Sequence, residues 1–91
     1  MVRYGVANAL FETDDIEHLP AEVLDDLDVG DCVIKVTGKQ KHLYQVTYKG
    51  EGSGEGICIT YFACGYLETI SYDRKDDGTW EYNSKDVWQA E

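Results

Sequence analysis

From Cys32 onward the side chains alternate with a period of two, and that period commits most of the chain to β-structure. Cys32, Ile34 and Val36 alternate with Val33, Lys35 and Thr37. Over 42–49, His42, Tyr44, Val46 and Tyr48 alternate with Leu43, Gln45, Thr47 and Lys49. The polar stretch 38–41 reads as the turn of a hairpin between them. Residues 57–62 are largely apolar on both phases, the mark of a central strand. Ala63-Cys64-Gly65 breaks the alternation as a bulge or bend, after which Tyr66 to Asp73 resumes it. A charged turn over 73–78 leads into a last strand at 79–82. Asn83-Ser84 reads as the cap of a final helical turn that folds Val87 and Trp88 onto the core. The segment 50–56 holds four glycines and reads as a mobile loop between strands.

The first third reads differently. Val2 to Val6 alternates like a short strand, and residues 7–12 fit either a strand end or a helix. Thr13 followed by Asp14 and Asp15 resembles a helix N-cap with acids in the first turn. Pro20 ends that helix and suits the start of a second one over 20–27, with Val23, Leu24 and Leu27 as its apolar stripe. The fold class these signals predict is α+β. They give an antiparallel sheet or small open barrel of four to five strands, preceded by one or two short N-terminal helices. Hairpin-spaced alternation argues against parallel βαβ units. At 91 residues the whole chain, 1–91, reads as a single acidic domain.

Charge is the second constraint. The chain carries 18 acidic and 8 basic side chains, a formal net charge of -10. Nine of the acids fall in residues 12–31, whereas 32–50 holds four lysines and no acid. Such a molecule repels nucleic acid and anionic membranes and attracts basic protein surfaces. No stretch approaches the roughly 20 apolar residues of a membrane span. The N-terminus shows no signal-peptide pattern, and the three cysteines form no dense framework, so the expected compartment is the cytoplasm.

No catalytic or cofactor motif stands out. Cys32, Cys58 and Cys64 lack the close pairing of a zinc site, and His18 and His42 stand alone, so the cysteines read as small buried apolar residues of the sheet. Cys32 and His42 fall on adjacent strands, but a thiol buried in apolar surroundings is inert. The glycine loop carries Glu51 and Glu55 and repels phosphate. Lysines 35, 39, 41 and 49 interleave with Tyr44 and Tyr48, as in a single-strand binder. The alternation, however, puts Tyr44 and Tyr48 on one face and Lys35 and Lys49 on the other.

The acids remain. Asp14, Asp15, Glu17, Glu22, Asp25, Asp26, Asp28 and Asp31 are the candidate partner-binding residues, because carboxylates spaced on a small rigid fold imitate the phosphate array of nucleic acid. The expected function is that of a non-enzymatic acidic binding module with no cofactor and no metal. It docks on the basic surface of a nucleic-acid-binding protein and contacts no nucleic acid or membrane itself. Small phage-encoded inhibitors of bacterial defence, anti-CRISPR proteins among them, work this way, and the analogy is one of size, charge and missing chemistry. The second expectation is a virion- or fibre-associated assembly module that forms homo-oligomers through its sheet.

Overall fold

The computed structural model describes residues 9–52 and 54–90; the alternating segment Val2 to Val6 lies outside them. The elements run β1 (Ala9–Thr13), α1 (Ala21–Asp26), β2 (Cys32–Thr37), β3 (Gln40–Lys49), β4 (Gly56–Ala63), β5 (Tyr66–Arg74) and β6 (Trp80–Gln89). All six strands form one sheet in sequential order. β1 runs parallel to β2 and every other neighbouring pair is antiparallel.

This corrects the α+β expectation. The described residues are mostly β, a mixed sheet of six strands with one six-residue helix, and among them β1 and β6 are the edge strands and do not pair to close a barrel. Three local causes account for the difference. Thr13 ends a strand instead of capping a helix: its hydroxyl accepts the Asp15 N–H at 3.0 Å and closes a turn. The segment from there to Cys32 then crosses over the sheet and returns β2 beside β1 in the same direction, the parallel unit that the hairpin spacing argued against. At the other end β6 continues through Asn83 and Ser84. The register shift that pairs Tyr72 with Tyr82 but Ser71 with Ser84 places Asn83 in a bulge, where its amide donates to Asp73 at 2.9 Å. Val87 and Trp88 therefore stand exposed on a strand, 50% and 59% accessible, and are not core.

The core lies on one side of the sheet. Val33, Tyr44, Val46, Ile57, Ile59, Ile70 and Tyr72 point inward from β2 to β5, and the crossover lays Ile16, Leu19, Leu24 and Leu27 over them. Each large aliphatic side chain so buried contributes about 1.5–3 kcal/mol relative to its exposed state.

Side chains from the sheet pin the crossover, Tyr72, Lys49 and Trp80 among them. The Tyr72 phenol donates to the Ile16 carbonyl and accepts the Leu19 N–H at 3.0 Å. The Lys49 ammonium donates to the carbonyls of Asp25 and Leu27 at the C-terminal end of α1, a helix end that has no basic residue of its own. The Trp80 indole donates to the Asp25 carboxylate at 2.8 Å. Burial pushes the Tyr72 phenol up to about 12, so it stays protonated across the physiological range.

Replacing Tyr72 by Phe leaves a buried amide and a buried carbonyl without their partner. The expected cost is about 1–3 kcal/mol, read as a lower urea midpoint at unchanged slope. An unchanged midpoint would show that the phenol does not hold the crossover.

Candidate functional site

The crossover carries the acids singled out above. Asp14 and Asp15 are exposed in the turn after β1, where the Asp15 carboxylate meets His18 Nδ1 at 2.8 Å. Glu17 is half-buried and faces the Lys85 ammonium at 3.6 Å. Glu22, Asp25 and Asp26 stand at i, i+3 and i+4 on α1 and so share its outer side, while Val23, Leu24 and Leu27 face the sheet. Asp28 is exposed just beyond the helix. Asp31 differs from the rest. It is fully buried, its carboxylate accepts the Asp28 N–H at 2.9 Å, and its own N–H donates to the Asp28 carbonyl. Asp31 thus shapes the entry into β2 and offers no charge at the surface. The other seven belong to one layer over one sheet face. Among the described residues, the basic side chains within bonding distance of those seven carboxylates are the His18 imidazole and the Lys85 ammonium.

A second constellation sits on the same sheet face. Cross-strand pairing sets Lys35 beside His42 and Val33 beside Tyr44, so Lys35 shares the Tyr44 face instead of opposing it. A bulge between Val46 and Tyr48 then turns Tyr48 away, to pair with Cys58 on the opposite face and donate to Glu55 at 2.8 Å. Lys35, His42, Tyr44, Tyr61, Tyr66 and Glu68 line a cleft of about 410 Å³. The Tyr61 ring is its centre, 5.0 Å from His42, 5.3 Å from Tyr44 and 6.0 Å from Tyr66.

Glu68 is buried at the floor, where its two oxygens accept the hydroxyls of Tyr44 and Tyr66, the latter at 2.7 Å. Burial works against its charge. The two phenol hydrogen bonds, with Lys85 and Lys35 nearby, outweigh that penalty and hold its carboxyl below the ordinary range. Burial and the Glu68 hydrogen bond in turn push the Tyr44 phenol upward. Both carboxylate oxygens are already engaged, so Glu68 organises the rings. The readable signal for this cluster was an acid in the inward phase of a strand, between Tyr66 and Ile70.

The cysteines do not converge. Cys32 is buried, with its thiol pushed up by desolvation, but Cys58 is half-buried and Cys64 is exposed in a turn, so only one of the three is a core residue. Among the described residues no group of three or more His, Cys, Asp or Glu is placed to hold a metal ion, and no helix is long and apolar enough to cross a membrane.

Because the folded-state pKa of Glu68 lies below its ordinary value of 4.5, its ionised form stabilises the protein at neutral pH. That contribution disappears as pH falls through the folded value. The stability difference between the native protein and Glu68→Gln is therefore expected to be largest near neutrality and to shrink in acid. Urea titrations at a series of pH values measure it, and a difference that is flat with pH would contradict the ionised assignment. Comparison with family models, with curated proteins and with solved structures gave no match.

Proposed function

We propose that the protein is a non-enzymatic binding module whose acidic crossover docks on the basic surface of a nucleic-acid-binding protein and competes there with nucleic acid. What supports this reading is the placement of Asp14, Asp15, Glu22, Asp25, Asp26 and Asp28. All are exposed on a short segment whose backbone is tied to a rigid sheet through Tyr72 and Lys49. Carboxylates held this way keep their spacing when a partner approaches, so little ordering entropy is lost on binding. A net charge of -10 also steers a basic partner during encounter, and added salt weakens that attraction. Inhibition follows from occupying a phosphate-binding groove and needs no chemical step. The compartment that goes with this reading is the cytoplasm of a bacterial host.

The test is a set of neutral isosteres, Asp14→Asn, Glu22→Gln, Asp26→Asn and Asp28→Asn combined. All four side chains are exposed and the contacts that pin the crossover are made by other groups, so the urea midpoint should be preserved or raised as like-charge repulsion falls. Capture of a nucleic-acid-binding protein from bacterial lysate should occur at low salt, be reversed by competing duplex DNA or RNA, and weaken at least about tenfold in the variant. Equal capture by the folded variant would sink the proposal.

A further inference from the structure

The crossover covers one face of the sheet, and no described element lies over the other. On that bare face Ile34 pairs with Leu43, Phe62 with Leu67, and Leu67 with Trp88. Leu43 and Phe62 each lie two residues beyond the Gln45–Thr60 pair, which puts them on the same face as that pair. The result is an apolar row crossing five strands, β2 to β6. Leu43, Phe62 and Trp88 within it are 50%, 71% and 59% accessible.

Beside the row lie neutral hydroxyl groups, with Thr60 bonded to both Thr47 and Thr69. Acids on this face stand at its margins: Glu12 on edge strand β1, Asp86 and Glu81 on edge strand β6, and Asp73 at the far end of β5. Glu12 is moreover paired with Lys41 at 3.3 Å. An apolar row toward one end of the face, bordered by neutral hydroxyls, has the apolar patch and polar surround of an interface.

We infer that this face binds a second copy of the chain, sheet against sheet about a twofold axis. Charge selects the occupant. A basic protein is drawn to the acidic layer on the other side, and nucleic acid and anionic bilayers are repelled by a net charge of -10. A second copy presents the same neutral patch, so the two meet without setting acid against acid at the centre. A twofold interface is self-complementary. Phe62 lies on β4, the middle strand of the row, and meets its counterpart at the axis.

The exposed parts of Phe62 and Trp88 amount to on the order of 250 Å², and Leu43 with its half-buried neighbours brings the patch to roughly 400 Å², the size of the largest patch on a typical monomer, which is often functional. Two patches with their polar rims remove roughly 1,200 Å² in total, at the low end of specific interfaces, which corresponds to a dimer in the micromolar range.

The inference uses the sheet face opposite the acidic layer, and salt separates the two. Screening weakens a basic partner's attraction to the acids but relieves the repulsion between two chains of like charge. Sedimentation equilibrium of the full chain should show a monomer–dimer equilibrium that strengthens toward about 1 M salt, where the screening length is about 3 Å. Phe62→Lys, a change at an exposed position, should weaken the dimer at least about tenfold with the urea midpoint preserved. Trp88→Lys provides the same reading at the edge of the row if the first variant fails to fold. A chain that stays monomeric at high concentration and high salt overturns the inference. So does a dimer untouched by both substitutions, as pairing along the open β6 edge would give.

Discussion

The hydroxyl of Tyr72 is the point on which the two layers depend. It lies on β5, near the middle of the core, and bonds two backbone groups of the crossover three residues apart, Ile16 and Leu19. The crossover is rich in like charges and has a single helix of six residues, too short to persist by its own propensity. Its conformation is therefore imposed from below. The apolar contacts of Leu19, Leu24 and Leu27 supply the driving force, while Tyr72 and Lys49 satisfy the backbone groups that burial would otherwise leave unpaired.

The same economy explains the two faces of the molecule. With one crossover in the described chain, only one side of a six-stranded sheet is covered, and the inward phase of β2 to β5 supplies the apolar residues packed beneath it. The outward phase divides along its length. Threonines and serines occupy the middle, as suits a solvated sheet, whereas Leu43, Phe62, Leu67 and Trp88 crowd toward one end. At one end of the covered face Tyr44 and Tyr66 donate to the buried Glu68 carboxylate, with the Tyr61 ring between them. Charge is sorted by element in consequence: acids on the crossover, neutral residues at the centre of the bare face, lysines on the β2–β3 hairpin.

What the sequence by itself determined was local. A period of two marked β2 to β5, the turn at Gly38 marked the β2–β3 hairpin, both-face apolarity marked β4 as internal, and Pro20 marked the start of α1, whereas Ala63-Cys64-Gly65, read as a bulge or bend, is the turn of the β4–β5 hairpin. Each of these depends on neighbours a few residues apart. The acids of the crossover were equally plain, because surface charge needs no partner to be read.

Only the tertiary structure decided the rest, because each remaining feature depends on a distant strand. β1 exists by pairing in parallel with residues more than twenty positions away. The bulges at Val46/Tyr48 and Ser71/Tyr72 shift the phase of alternation, moving Tyr48 off the tyrosine face and carrying β6 past Asn83. Trp88 is exposed because no described element lies over its face, and Asp31 is buried because the chain must turn from α1 into β2 at that point. Alternation states which residues share a face; which face is covered, and by what, is settled by packing at long range.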